Sequence, residues 1–177
     1  MIVIHIDSTP DAARLSRIYE GLDNIIVSYN RSKSNVRRLL RITGNEPVMI
    51  LGHGNPMGLF NKAQNGYVID GNAVEWLRNR PVIGIFCYAS DFADRYNLHG
   101  FFTSMYISNM SEALMMQRDD GASEELIEQQ DFLFCDRIRN LITSNTPMSQ
   151  WPEILQSQAD TSIPFVRFNY EAMTYFE

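Results

Sequence analysis

The stretch VMILGHGNPMG, residues 48–58, ends an apolar run with a histidine, His53, that stands between two glycines. The stretch PVIGIFCYAS, residues 81–90, ends a second apolar run with a cysteine, Cys87. Short apolar runs bounded by glycine or proline are typical of strands that are buried on both faces of a parallel sheet. The two stretches therefore predict two central strands, at 47–51 and 82–86, each followed closely by a side chain capable of chemistry.

The rest of the chain alternates between strand patterns and helix patterns. Apolar, β-branched runs predict further strands at residues 2–6, 24–29, 101–108 and 165–170. Cap residues and apolar side chains at helical spacing predict helices at residues 8–21, 34–44, 72–79, 90–97, 123–143 and 151–158. Residues 55–69 are rich in glycine and asparagine, which predicts a loop or a hairpin.

This alternation places the chain in the α/β class. Right-handed crossovers cover both faces of a mostly parallel sheet with helices, so we expect a three-layer sandwich. The 177 residues contain no repeat, low-complexity segment or linker, which predicts a single domain over residues 1–177. In such sheets, ligands bind beyond the carboxyl ends of the strands. We therefore expect His53 and Cys87 to lie at one edge of the sheet, where they can meet over a substrate.

The composition limits the kinds of partner. The formal net charge is −6, which argues against a general nucleic-acid surface, because such a surface needs clustered positive charge. The basic residues between Arg31 and Arg41 are expected on the solvated side of a helix. No apolar run approaches the roughly 20 residues of a membrane span, and the first residues lack a charged signal region. We expect a cytoplasmic protein without membrane contact, in which Cys87 and Cys135 are free thiols.

Cofactor motifs are weak in this sequence. The three histidines and two cysteines show no spacing typical of metal ligands, so we expect no metal. The stretch GHGNPMG lacks the lysine and the serine or threonine of a phosphate-binding loop. We therefore expect a protein that works without a cofactor.

His53 and Cys87 have the chemistry of a nucleophile and its base. A cysteine attacks as its thiolate, and a free thiol is mostly protonated at neutral pH. His53 could accept the proton, and the amino end of the helix after Ser90 is expected to favour the thiolate. The backbone N–H groups of Gly54 and Cys87 are candidates to stabilise the oxyanion of a tetrahedral intermediate, since Gly54 has no side chain to block a substrate carbonyl.

The order of these motifs resembles that of the caspase-like cysteine peptidases of clan CD, which include caspases, metacaspases, gingipains, separase and bacterial CHAT domains. The similar segments are VMILGHG, GYVIDGNAVEWLRN and PVIGIFCYAS, and the resemblance covers roughly residues 1–109. It implies a caspase-like fold and a thiol protease, a hydrolase with His53 as general base and acid and Cys87 as nucleophile. It implies no third group that orients the histidine.

The resemblance also implies where a substrate side chain binds. In this family the pocket for the residue before the scissile bond is lined by the end of the first strand and the segment after the fifth. The matching positions are Asp7 with Ser8, and Asn109 to Glu112, with Ile85 as an apolar wall. Because neither segment contains arginine or lysine, we expect a preference for cleavage after basic residues. The alternative is that Asp7 only caps the following helix.

Other functional interpretations remain open. The sequence departs from the family at Tyr88, where many relatives have a small residue or histidine, and at Ile85, where caspases and metacaspases have a polar residue. These departures favour a catalytically degenerate caspase-like module that binds a protein partner. A third interpretation is a flavodoxin-like binder of small molecules. For a peptidase, the expected partners are a protein or peptide substrate and a separate regulatory chain.

Overall fold

A six-stranded sheet forms the centre of the computed structural model, which describes residues 1–28 and 32–177. The strands of these residues are β1 (Ile2–His5), β2 (Ile26–Ser28), β3 (Val48–Leu51), β4 (Gly54–Asn55), β5 (Gly58–Asn61), β6 (Gly66–Ile69), β7 (Val82–Ile85), β8 (Gly100–Phe102) and β9 (Thr174–Phe176). The central sheet has the order β2-β1-β3-β7-β8-β9, and its pairs are parallel except for β8 with β9. The strands β4, β5 and β6 form a separate antiparallel sheet.

Helices connect most of these strands. They are α1 (Pro10–Arg14), α2 (Lys33–Ile42), α3 (Ala89–Tyr96), α4 (Met110–Met115), α5 (Glu124–Thr143), α6 (Trp151–Gln158) and α7 (Pro164–Glu171). Short 3₁₀ segments lie at Leu15–Ile18, Lys62–Gln64, Gly71–Trp76 and Met148–Gln150. Among the helices of the described ranges, none has both the length and the apolar character that crossing a bilayer requires.

Both faces of the central sheet are covered, so its four inner strands, β1, β3, β7 and β8, are buried throughout. One set of strand residues, including Met49 and Ile83, packs against α5, α6 and α7. The alternate set, including Ile50 and Val82, packs against α2, α3 and the small sheet. Because side chains alternate between the faces of a strand, each apolar run supplies both cores. The prediction of a three-layer α/β sandwich with a mostly parallel sheet is confirmed.

Helix caps are the best-predicted local features. Thr9 caps α1 by accepting a hydrogen bond from the Ala12 N–H, and Ser123 caps α5 in the same way from Leu126. The 20-residue helix α5 follows the prediction for residues 123–143 closely, and α6 matches 151–158. The predicted hairpin within residues 55–69 is confirmed as β4, β5 and β6.

The predicted strand at residues 165–170 is wrong, because the segment forms α7. Pro164 occupies the first turn of the helix, where its missing N–H has no intrahelical acceptor. The buried residues Phe165, Val166, Asn169 and Tyr170 lie at helical spacing on one face. The run FVRFNY therefore belongs to an amphipathic helix, and the edge strand β9 follows it.

Two further strand predictions need correction. Of the predicted strand 101–108, only residues 101 and 102 belong to β8. The chain then turns into α4, which is capped by Asn109 and was not predicted. The prediction for 24–29 is confirmed over β2 only. Tyr29 lies outside the described residues, as does Arg31 of the predicted basic helix face.

Candidate active site

A cleft opens beyond the carboxyl ends of β3 and β7, and both His53 and Cys87 line it. The two strands are adjacent and parallel, and their pairing continues past their ends, because the Gly52 N–H donates to the Ile85 carbonyl at 3.2 Å. The cleft has a volume of about 440 Å³ when the space at its mouth is included. Further walls come from α1, α5 and the segment after β8. The structure therefore brings the predicted nucleophile and base into one cavity.

Cys87 lies in a tight turn between β7 and α3. Tyr88 has a left-handed backbone conformation, with a φ of 62°, and α3 begins at the next residue. The turn is held by hydrogen bonds from the Tyr88 N–H to the Ser104 carbonyl at 3.1 Å and from the Ala89 N–H to the Phe86 carbonyl at 3.1 Å. Among the described residues, no other residue accepts a hydrogen bond from the Cys87 N–H. This N–H group is therefore available to an incoming oxygen atom.

The Cys87 thiol is protonated at neutral pH. Burial, followed by the negative charge of Glu112, raises the pKa of Cys87 to about 11, and Asp11 acts in the same direction. The Sγ atom lies 3.7 Å from the Tyr106 carbonyl oxygen, which accepts the thiol proton. Burial and the two carboxylates therefore outweigh the stabilisation of the thiolate that is expected from the amino end of α3. A base must therefore remove the proton when the thiol reacts.

His53 is held on its Nε2 side by residues of α1. Its Nε2 atom lies 2.6 Å from Thr9 Oγ1 and 3.5 Å from Asp11 Oδ2. The hydrogen bond to Asp11 raises the pKa of His53, although burial opposes the shift. Burial acts to raise the pKa of Asp11, but the hydrogen bonds from His53 and Thr9 outweigh it and hold that pKa well below its usual range. Asp11 is therefore a carboxylate at neutral pH.

Ser108 links the Asp11 carboxylate to α4. Its Oγ atom lies 3.0 Å from both Asp11 Oδ2 and Glu112 Oε2, and its N–H donates to Glu112 Oε2 at 2.8 Å. The Asn109 side-chain amide also donates to Asp11 Oδ2, at 3.3 Å. Two carboxylates are thus fixed beside the imidazole and the thiol.

The residues Asp11, His53 and Glu112 include the ligand types of a divalent transition metal, and their side-chain ligand atoms lie within 4.8 Å of one another. However, Thr9 Oγ1 lies 2.6 Å from His53 Nε2, in the region through which a metal would have to approach that nitrogen. The contacts therefore favour a hydrogen-bonded cluster over a metal centre.

A buried ion pair lies deeper in the cleft. Arg14 contacts Asp131 and donates to the Ser108 carbonyl at 3.2 Å. Burial raises the pKa of Asp131 to about 7, although the charge and hydrogen bond of Arg14 oppose the shift. Tyr106 also hydrogen bonds to Asp131. The charge of this carboxyl group is therefore sensitive to pH near neutrality.

The free energy of unfolding should depend on pH through Asp131. Because its pKa in the folded protein, about 7, lies above the ordinary value of 3.8, this group favours folding most below pH 4. That contribution is lost as the pH rises from about 4 to about 7. Urea unfolding gives the free energy of unfolding of the wild-type protein and of Asp131→Asn. As the pH rises over this range, the wild-type protein should lose stability relative to the variant. A constant difference across the range would contradict the assignment.

Gly54 lies beside the turn that contains Cys87. A Cβ atom at Gly54 would come within 2.3 Å of the Phe86 ring and 2.7 Å of the Gly58 carbonyl oxygen, so only glycine fits. The Phe60 N–H donates to the His53 carbonyl at 2.9 Å, and Gly54 pairs with Leu59. In this antiparallel register the Gly54 N–H points away from β5. The glycine requirement thus comes from Phe86 packing, a reason that the sequence did not reveal.

The other sequence-predicted residues are only partly brought together. Ile85 lines the cleft, Glu112 lies close to His53, and Asn109 reaches the site through Asp11. Asp7 is exposed and is not among the residues that line the cleft.

The residues that sequence reasoning missed are Thr9, Asp11 and Ser108. The capping stretch STPD contained a signal for Thr9 and Asp11. This stretch follows β1, and β1 is adjacent and parallel to β3, so it lies at the same edge of the sheet as His53.

Comparison of the chain with protein-family models, with curated proteins and with solved structures finds no match. The interpretation of the cleft therefore depends on the geometry and chemistry of the residues that line it.

Proposed function

We propose that the protein is a cysteine peptidase in which Cys87 is the nucleophile and His53 is the general base and acid. One observation carries this proposal: side chains that follow adjacent parallel strands, a thiol and an imidazole, line the same cleft. A cleft at the carboxyl edge of a parallel sheet is the usual place for chemistry in this fold class. The pair needs no metal or cofactor for hydrolysis of a peptide bond.

The reaction follows from the protonation states of the two groups. The His53 imidazole accepts the Cys87 proton, and the sulfur attacks the carbonyl carbon of the scissile bond, whose oxygen takes the negative charge. The imidazolium then gives the proton to the leaving nitrogen, the carbon–nitrogen bond breaks, and a thioester remains. Water, deprotonated by His53, attacks the thioester, and the sulfur leaves and regains a proton. Since the pKa of Cys87 is raised to about 11, the resting thiol is protonated, and attack requires His53 to take its proton.

Two backbone N–H groups are available for the oxyanion. The Cys87 N–H has no acceptor in any other described residue, and the Gly54 N–H points away from the β5 ladder. Gly54 packs on the ring of Phe86, the residue before Cys87, so the two N–H groups belong to neighbouring segments. Preorganised N–H donors of this kind stabilise the developing charge.

Three further proposals concern the fold family, the substrate specificity and the cellular location of the protein. The order of β3, His53, an antiparallel hairpin, a short helical segment, β7 and Cys87 supports a caspase-like domain. The carboxylates of Glu112 and Asp11, close to His53, support cleavage after basic residues, with Glu112 in the role expected of Asp7. A protein or peptide substrate, a regulatory partner chain and a cytoplasmic setting complete the proposal.

A second candidate function is a degenerate caspase-like module that binds a protein partner. The raised pKa of Cys87 favours it, because a protonated, partly buried thiol is a poor nucleophile at rest. Leu114 and Met115 of α4 are 58% and 66% exposed beside the site, where a partner could cover them. The two candidates differ in whether His53 activates Cys87.

Alkylation with iodoacetamide tests that difference. We expect Cys87 to react at least about tenfold faster than Cys135, because Cys135 is fully buried in α5 and burial raises the pKa of its thiol. His53→Ala should slow the reaction of Cys87, and His99→Ala is the matched control. The rate should still rise above pH 9, since the pKa of Cys87 is about 11. Mass spectrometry of the labelled peptides gives both rates. Equal rates for the two cysteines, or no effect of His53→Ala, would argue for the degenerate module.

A further inference from the structure

Hydrogen bonds connect the imidazole of His53 to the first turn of α1. The Nε2 atom lies 2.6 Å from Thr9 Oγ1 and 3.5 Å from Asp11 Oδ2. The Thr9 oxygen also accepts from the Ala12 N–H at 3.4 Å. These contacts determine where the protons on this side of the ring must lie.

The contact between Thr9 and His53 needs one proton, which lies either on Nε2 or on the Thr9 hydroxyl. A carboxylate offers only acceptors, and Asp11 Oδ2 lies 3.5 Å from the same Nε2 atom. A proton on Nε2 is attracted to that oxygen and can donate to Thr9 Oγ1. In the opposite arrangement, Thr9 would donate to Nε2, and the Nε2 lone pair would face the carboxylate oxygen, which is repulsive.

We infer that Thr9 and Asp11 are positioning residues for His53, because together they hold the imidazole with Nε2 protonated and leave Nδ1 as the nitrogen that exchanges a proton. This inference rests on the proposed function in one respect, namely that the exchanged proton belongs to Cys87. The resemblance drawn from the sequence implied no third group at this site. Here two side chains at the start of α1 supply one.

Charged groups of several elements act on His53. Asp11 of α1 and Glu112 of α4 favour its protonated form, and Lys62, in the 3₁₀ segment between β5 and β6, disfavours it. Asp11 differs from the other two because it also accepts a hydrogen bond from the ring. Its loss should therefore change the tautomer of the ring as well as the pKa, whereas the loss of a distant charge changes the pKa alone.

Nitrogen-15 NMR of the ring nitrogens tests the inference without any substrate. The His53 signals are assigned by their loss in His53→Gln. We expect neutral His53 of the wild-type protein to carry its proton on Nε2. Asp11→Asn should lower the pKa of His53, because the charge and the acceptor of Asp11 are lost, and should populate the second tautomer. Thr9→Val should also mix the tautomers, and Thr9→Ser, which keeps the hydroxyl, should restore the wild-type signals.

The matched control is Asp94→Asn, which removes a carboxylate from the exposed side of α3 and should leave the His53 signals unchanged. Where peptide hydrolysis is measurable, the acid limb of kcat/KM should move to lower pH in Asp11→Asn. Thr9→Val also removes the cap of α1, so thermal unfolding is measured for each variant. If Thr9→Val does not fold, the result for Asp11→Asn alone tests the inference.

Two results separate the inference from the proposed function. An unchanged tautomer and pKa of His53 in Asp11→Asn would overturn the inference, whatever the activity. A tautomer fixed on Nε2 in a protein whose Cys87 shows no dependence on His53 would instead overturn the proposed function and leave the positioning of His53 intact.

Discussion

Cys87→Ala is expected to abolish peptide hydrolysis, and His53→Ala is expected to lower kcat/KM by about 10²- to 10⁴-fold. Cys87 supplies the atom that bonds to the substrate, so no covalent route remains without it. His53 moves the proton in both half-reactions, and the loss is large because the pKa of Cys87, about 11, leaves little thiolate at neutral pH. A panel of fluorogenic peptides with basic, acidic or apolar residues before the scissile bond measures both effects.

The controls for this experiment are Cys135→Ala and His99→Ala, which remove the same chemical groups away from the cleft. Both should retain hydrolysis. Full activity of Cys87→Ala would exclude the nucleophile assigned here. Cleavage after aspartate, with none after arginine or lysine, would leave the dyad in place and overturn the proposed basic preference.

Phe134→Ala is expected to lower the free energy of unfolding by about 3–5 kcal/mol. The Phe134 side chain is fully buried in α5, and its ring centroid lies 5.0 Å from that of Tyr106 and 6.1 Å from that of Tyr170. Its removal leaves a cavity between α5, α7 and the wall of the cleft. Urea unfolding gives the free energy, and the loss is a large part of the 5–15 kcal/mol typical of a domain.

Leu133→Ala is the matched control, since Leu133 precedes Phe134 in the same helix but is 38% exposed. Leu133→Ala should lower the free energy of unfolding by only about 0.5 kcal/mol, a value typical of surface substitutions. A cost for Phe134→Ala within that range would mean that α5 does not cover the sheet as described.

Local sequence signals were sufficient to predict the central strands and to identify the two reactive side chains. The residues after β3 and β7 could be assigned because each apolar run and its terminating glycine or turn lie within ten residues. The α/β alternation predicts that β3 and β7 run parallel, which places His53 and Cys87 at one edge of the sheet. That the two strands are neighbours is shown by the structure and not by the sequence.

The remaining parts of the site depend on contacts that no local pattern contains. In the sequence, Asp11 looks like an ordinary acidic residue in the first turn of α1. Its contact with His53 depends on the direction that the chain takes from the end of β1 into α1. The raised pKa of Cys87 comes from burial and from Glu112 of α4, a helix that was not predicted. The run FVRFNY was wrongly predicted as a strand because its six residues fit both the strand and the helix periodicity. The packing of this segment against α5 decides for the helix.

The hydrogen bonds of Ser108 have a consequence for the order in which the protein folds. They join Ser108 to Arg14 and Asp11, residues 94 and 97 positions away along the chain. Contacts of such long sequence separation require closure of a long loop and tend to form late. A chain in which β1, β3 and β7 have paired, but α4 has not docked, would hold thiol and imidazole together without this network. Completion of the site therefore depends on the docking of α4, which brings together parts of the chain that are 94 and 97 residues apart.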